Sequence, residues 1–525
     1  MSRRWLIGLL LTGMVSAEPA LETAWKMRAQ LDSAAPAITD QTGYTNAFLA
    51  FSLAEAANKS PGGRSPAQRT QAQQLAAPYL TWLSDYPRLQ EVHGQREPAW
   101  VHGEADQVAL ILLALIELDR VQPNPQRREQ IHQFAQGLAQ LHHPNTNTYP
   151  FGAHTSFDSA RLDSPAYAPT ADGKAPGAIW RPERSYQVKA LASASQYLGD
   201  KSLLEEAQTE ALGIWAHLAT SGRWIWAFVP RPTGKSDILG SATAVDNLMT
   251  LESVTQRDGY GLLAGLAAHH CLRSKSNSEE ETAAQQWVRA RLKGSSAQHW
   301  LGYQDAADPV SYQVMEAENG KAVQKAFDLI EVTYPDGEAG TIVKVGRDQM
   351  FWMRFDIERE DDYFFYLIFL KSRLEGGLVS VLMRIDGDKI FQVNLGGATD
   401  PYVDMDFVDG PRPLRAGPHS FGIRFAGLLM TQPAILDSVL AWPVVERRYL
   451  SKPDGSRLLV LHNLSKKEAR TTYPEVHQWP PEKVSCLDGQ GQPATVGRQT
   501  DKRRRKDYLV LPPGGLAWLE WREEK

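Results

Sequence analysis

Near residues 306–310 the apolar periodicity of this chain changes, and no other feature of its 525 residues constrains the fold as much. Upstream, apolar side chains recur at helical spacing in residues 44–58, 66–84, 104–121, 126–142, 183–198, 202–220, 241–255, 259–273 and 280–292. Downstream, residues 351–357, 363–370, 379–385, 390–394, 419–425 and 435–442 alternate, or are short and apolar, as strands do. A chain with two periods in succession must build two kinds of layer, helical first and β second.

The helical part has an order of its own. Residues 108–116 are apolar nearly all round, as expected of a helix buried between layers, whereas residues 127–142 are one-sided. The turns Leu198-Gly199-Asp200-Lys201 and Gln256-Arg257-Asp258-Gly259 rhyme. Repeated helical hairpins predict an inner ring of helices wrapped by an outer one, an (α/α) toroid over residues 18–300; an irregular helical solenoid is the alternative. In the β part, Ile385-Asp386-Gly387-Asp388 carries the chemistry of a tight hairpin. Evenly spaced strands with no helix between them predict a sandwich or jelly roll over residues 310–445. A small C-terminal β domain over 446–525 contains the runs 457–463 and 517–521.

The first seventeen residues predict a signal peptide. Arg3-Arg4 precede an apolar stretch over 5–15, and Val15-Ser16-Ala17 makes a small-residue cleavage site. The expected location is therefore periplasmic or extracellular. Ser2-Arg3-Arg4-Trp5-Leu6 is also similar to a twin-arginine signal. No later run is long enough to span a bilayer. Cys271 and Cys486 are the only cysteines and fall in different expected domains, which excludes a disulfide framework and any CxxC motif. A net charge of −5 leaves no basic footprint for nucleic acid, and the run Lys502-Arg503-Arg504-Arg505-Lys506 reads as a solvated turn before a strand. Fifteen tryptophans, by contrast, call for large cores or for stacking surfaces that take flat apolar ligand faces.

Five short motifs add a resemblance. They are Met315-Glu316-Ala317-Glu318-Asn319, Asp362-Tyr363-Phe364, Arg384-Ile385-Asp386-Gly387, Leu414-Arg415-Ala416-Gly417-Pro418-His419 and Leu436-Asp437-Ser438-Val439. As a set, residues 312–443 resemble the calcium-bearing jelly-roll carbohydrate-binding modules of secreted polysaccharide enzymes. The resemblance implies that Glu316, Glu318 and Asp437 help to hold a structural calcium, a hard cation suited to carboxylate oxygen. The loop-tip aromatics that stack on sugar in that family have no clear match, so the module either binds sugar or serves as a brace. Residues 18–300 resemble, in architecture, the (α/α) toroids of six-hairpin glycosidases, sugar epimerases and polysaccharide lyases. That implies a polysaccharide or oligosaccharide as partner.

In a toroid the loops entering the inner helices gather at one mouth. Those loops here carry Trp100, His102, Glu104 and Asp106, and Trp180, Glu183, Arg184 and Tyr186, while Asp246 with Asn247 falls in the first turn of a third helix. A long aromatic loop over 149–158 adds His154, and Trp224 with Trp226 could form a stacking wall. Hydrolysis of a glycoside needs two carboxyl groups, for which Glu183 and Asp246 come first. Elimination from a uronate needs a base, Tyr186 or His154, with Arg184, Asn247 or His102 neutralising the carboxylate. Each has a plainer role available: first-turn acids cap helices, Tyr186 suits a core, and Arg184 suits an ion pair with Glu183. Glycine fingerprints, P-loops and nucleophile elbows are absent from the sequence, so no cofactor is expected for the chemistry. The expectation is a glycoside hydrolase or polysaccharide lyase, with a non-catalytic carbohydrate-binding or cell-surface scaffold protein as the alternative.

Overall fold

The computed structural model describes residues 24–26, 28, 43–58, 89–92, 95–98, 105–140, 186–221, 238–305, 313–316, 321–322, 328–333, 339–345, 350–357, 359–370, 379–395, 403–407, 412–426, 434–465, 467–472, 484–501 and 506–522. Its helices are α1 (Gly43–Asn58), α2 (Ala105–Val121), α3 (Pro125–Gln140), α4 (Gln187–Leu198), α5 (Lys201–Ser221), α6 (Ile238–Thr255), α7 (Asp258–Arg273), α8 (Glu279–Leu292) and the single turn α9 (Ala297–Trp300). The expected helix over 66–84 lies outside the described residues. Between α1 and α2 stands an antiparallel hairpin that the helical reading did not include, β1 (Leu89–Val92) with β2 (Gln95–Pro98).

Local chemistry sets the helix ends. Gly199 ends α4 in the left-handed region, φ 79°, and donates its N–H to the Ser195 carbonyl at 2.8 Å. Asp200 then accepts from the Ser202 amide at 2.9 Å and starts α5. Ser278 caps α8 by accepting from the Glu281 amide; Glu279, Glu280 and Glu281 fill its first turn and Arg289 and Arg291 its last, both in the sense of the helix dipole.

The helices stack in two layers. α1, α2, α4, α6 and α8 touch in that order, while α3, α5 and α7 form the second layer as the outer arms of the hairpins α2/α3, α4/α5 and α6/α7. Residues 108–114 and 116 of α2 are wholly buried, as their all-round apolarity predicts.

The sandwich contains β4 (Gln313–Glu316), β5 (Lys321–Ala322), β6 (Asp328–Thr333), β7 (Ala339–Val345), β8 (Met350–Ile357) and β9 (Asp361–Leu370). It continues with β10 (Val379–Ile385), β11 (Asp388–Leu395), β12 (Val403–Phe407), β13 (Arg412–Leu414), β14 (Gly417–Ala426) and β15 (Ala434–Pro443). One sheet runs β11-β10-β14-β8-β5 and the other β12-β9-β15-β7-β6, with β4 on β15 and β13 on β9. Phe365 on β9 packs against Phe355 and Phe421 of the opposite sheet, with ring centroids 6.1 and 5.3 Å apart.

After Val444 come β16 (Val445–Ser451), β17 (Ser456–Asn463), β18 (Arg470–Thr472), β19 (Val484–Leu487), β20 (Gly497–Asp501), β21 (Lys506–Leu511) and β22 (Leu516–Arg522). The main sheet takes up β3 (Gln304–Asp305), which precedes the sandwich in the chain, and runs β19-β22-β17-β16-β3. Strand β17 is buried on both faces. Leu459 and Leu461 face the core shared with Leu509 and Leu511, whereas Leu458 and Val460 join the core of the helical layers together with Leu450, Leu487 and Trp518. The continuous run Leu458-Leu459-Val460-Leu461 is what a strand between two apolar layers requires.

Two contacts position these parts. Arg447 pairs with Asp361 at 2.8 Å and Arg470 with Asp362 at 3.3 Å, across the single-residue joint at Val444. The turn after β19 docks on the helices: the Gly491 carbonyl accepts from Arg257, while Gln208 and Tyr260 also reach it. Gly491 has φ 71°, and a Cβ there would collide with the Tyr260 hydroxyl. Gly491→Ala is expected to cost about 2 kcal/mol in urea denaturation, from strained backbone plus the collision. Adding Tyr260→Phe should recover part of that loss, since the colliding atom is then gone.

Candidate functional site

A connected set of buried ionisable side chains lies inside the helical layers. Arg28 uses each nitrogen of its guanidinium: Nε donates to Glu55 Oε2 at 2.8 Å, Nη1 to the Tyr186 hydroxyl at 2.9 Å, and Nη2 to Asp246 Oδ2. Lys189 donates to both Asp246 oxygens at 2.8 Å and to Glu55 Oε1 at 3.1 Å. Asn247 accepts from the Lys189 amide at 2.7 Å and donates to the Thr243 carbonyl at 2.8 Å, tying α6 to the first turn of α4. Two cations and two carboxylates thus interlock, and the Arg28 and Asp246 side chains retain 0% and 1% of their exposure.

Burial of that order requires compensation, because an unpaired charge at such a place costs several kcal/mol. Part comes from rings. The Arg28 guanidinium carbon lies 4.6 to 5.8 Å from the ring centroids of Trp25, Phe48, Phe51, Tyr186 and Trp287, and Lys189 Nζ is 4.8 Å from Phe51. Burial pushes the Asp246 carboxyl up, but Arg28 and then Lys189 outweigh it and hold the group below the usual carboxylate range. Burial likewise drives the Tyr186 phenol well above its ordinary value, against the lowering effect of Arg28.

This geometry differs from the open mouth that the sequence suggested for Asp246, Asn247 and Tyr186. All three are brought together, yet each is 1% exposed or less. A carboxylate shared by two cations and kept from water is a poor proton acceptor, and a phenol raised in this way does not ionise near neutral pH. In this arrangement Asp246 is a counter-ion and Tyr186 a hydrogen-bonded core aromatic. Glu183, His154, Trp100, His102, Glu104, Trp180, Arg184, Trp224 and Trp226 lie outside the described residues.

Sequence reading did not single out Arg28, Glu55 or Lys189. A signal for two of them existed, since Glu55 is the only charged residue of α1 and Lys189 the only one of α4. A lone charge in an apolar helix calls for a partner elsewhere.

In the sandwich, the hairpin motif and the motif before β14 meet. Asp386, with φ 51° at the turn, accepts from the Ser420 amide at 2.8 Å through Oδ1 and bonds His419 Nδ1 at 2.6 Å through Oδ2. The other ring nitrogen of His419 lies 2.8 Å from the Arg415 carbonyl. Burial lowers the His419 pKa, but the Arg415 carbonyl and Asp386 together raise it above the usual histidine value. For the calcium expected from the resemblance, β4 pairs with β15 so that Glu316 stands opposite Ser438, and Asp437 occupies the register break between Leu436 and Ser438. Glu318 lies outside the described residues.

No protein-family model matches the chain, and no curated protein matches it. Solved structures match part of it. A GH26-CBM35 β-(1,4)-mannanase of Podospora anserina is 15% identical over 25% of this chain and 28% of that chain, with a TM-score of 0.19. The CBM36-1 domain of a multidomain xylanase from the hindgut metagenome of Trinervitermes trinervoides is 11% identical over 25% of this chain and 95% of that one, with a TM-score of 0.20. A family 35 carbohydrate-binding module from Clostridium thermocellum is 11% identical over 26% and 99%, again with a TM-score of 0.20.

Two outcomes follow from the geometry. Asp246→Asn leaves Arg28 and Lys189 short of a buried anion, and should lower stability by about 3–5 kcal/mol in urea denaturation; a loss under about 1 kcal/mol would mean that the network contributes little. The raised His419 value means that its clamp stabilises fully below the unfolded histidine value of about 6.5 and fades as pH rises through the folded one. Hydrogen exchange in residues 379–395, corrected for intrinsic rates, should therefore show more protection at pH 6 than at pH 9, and Asp386→Asn should flatten the difference.

Proposed function

We propose that this chain is an exported carbohydrate-active protein, a glycoside hydrolase or polysaccharide lyase whose helical domain is a toroid with the site at its mouth. The observation that carries the reading is the placement of the motif set of residues 312–443 within a two-sheet sandwich. The opening strand β4 lies beside the closing strand β15, and the Asp-Gly hairpin is tied to the approach to β14 through Asp386 and His419. Ring closure is supported by Trp25, which touches Phe48 of α1 and Trp287 of α8 with centroids 5.3 Å away in each case. In this reading Glu183 and His154 are the leading candidates for chemistry, Glu104 is the second carboxyl group that hydrolysis needs, and Trp100, His102, Trp180, Arg184, Trp224 and Trp226 hold the polysaccharide. Residues 1–17 direct export; no helix among the described residues is long and apolar enough to cross a membrane.

Glu316, Glu318 and Asp437 suit a structural calcium in donor type, and the pairing of β4 with β15 is consistent with two of them sharing one end of the sandwich. Their part would be to fix the strand ends by oxygen ligation. A second reading, a non-catalytic carbohydrate-binding or scaffold protein, is favoured by one observation: Asp246 and Tyr186 are sequestered in the buried ion network.

Residues 18–525, with calcium present, should be incubated with neutral and uronate-containing polysaccharides while reducing ends and ultraviolet absorbance are followed. Reducing ends without absorbance identify a hydrolase, and Glu183→Gln should then abolish turnover without moving the melting transition. Reducing ends with absorbance identify a lyase, which leaves an unsaturated uronate and places the test on His154. No product from any polymer, alongside retained binding to one, would overturn the enzyme reading in favour of the scaffold.

A further inference from the structure

Arg28 belongs to the earliest described segment of the chain, a short way beyond the expected cleavage site after residue 17. Its side chain gathers groups from three helices and the start of a fourth: Glu55, Phe48 and Phe51 of α1, Tyr186 at the N-cap of α4, Asp246 of α6 and Trp287 of α8. The polar partners lie 27, 158 and 218 residues away in sequence. Each takes a different guanidinium nitrogen, and the rings of five residues surround the group. This is how a protein recognises a cationic ligand: an aromatic cage for the charge and a fan of acceptors matched to a planar, forked donor.

The pocket also has a composition that persists without its occupant. Lys189 bridges Glu55 and Asp246 by itself, so taking Arg28 away leaves two carboxylates facing one ammonium inside an aromatic box. In those three groups the anionic charge then exceeds the cationic by one, and the cage retains the acceptors that a forked cation requires.

We propose that the interior of the helical domain is a guanidinium-binding site whose ligand is the chain's own Arg28, so that the segment holding Trp25 and Arg28 docks as an intramolecular ligand and locks α1, α4, α6 and α8 together. A lysine does not substitute. Its single ammonium is a point charge and cannot address Glu55, Tyr186 and Asp246 in three directions at once. The proposal does not depend on the carbohydrate reading.

The test is chemical rescue in residues 18–525. Arg28→Ala should melt about 10 °C below the wild type, and Arg28→Lys should also melt below it. Millimolar n-propylguanidinium should raise the melting temperature of Arg28→Ala saturably, leave the wild type unmoved, and act where n-propylammonium does not. A wild-type melting temperature for Arg28→Ala or Arg28→Lys would overturn the proposal. So would equal effects of the two cations, or equal effects on both proteins. If Arg28→Ala fails to accumulate in folded form, it is refolded from urea with either cation. Recovery of native protein with n-propylguanidinium alone supports the site, and failure with both sinks it.

Discussion

The helical half of this protein depends on the neutralisation of charge that has been removed from water. Asp246, 1% exposed, is tolerable only because Arg28 and Lys189 approach it from two directions, and Glu55 closes the arrangement by accepting from both cations. Removing any one member leaves the others with an unmet charge in an apolar surround, so the four residues behave as one unit rather than as two independent ion pairs. The aromatic shell follows from the same constraint. A guanidinium is more weakly hydrated than an ammonium and lies flat on rings, which suits Arg28 to the most enclosed position.

This arrangement also governs what can be inferred about chemistry. Acidic residues in the first turns of inner helices suggest a catalytic mouth, and Asp246 fits that pattern by sequence alone. Burial and double pairing keep it from solvent, and burial, against the lowering effect of Arg28, raises the Tyr186 phenol out of reach of ionisation. Proton transfer in an enzyme reading then falls to groups outside the network, Glu183 and His154 foremost.

Much of the architecture was legible in the sequence. The switch of period near residue 306 marks where helices give way to strands, and the all-round apolarity of residues 108–116 foretells their burial. The Asp-Gly turn at 386–387 foretells the β10–β11 hairpin. What escaped notice shares one cause: it rests on encounters between residues distant in sequence. Arg28 sits outside any strongly periodic stretch, and its partners are up to 218 residues away. β3 is two residues long, too short to show a period, yet it joins the sheet of the C-terminal strands. The motifs around Asp386 and His419 were each visible, but the bond that makes them one feature was not.

The joint at Val444 has a mechanical consequence. A module hung on a flexible tether sweeps a volume, and whatever it holds meets the rest of the protein at a concentration set by tether length. Here β15 passes into β16 through one residue, Val444 donates its amide to the Asp362 carbonyl at 2.8 Å, and Arg447 and Arg470 grip the start of β9. The sandwich is therefore carried like a fixed arm on the C-terminal sheet, which is itself packed into the helical core. Reach and angle, rather than diffusion of a tethered domain, therefore set what the sandwich presents to the helices, and along which bearing.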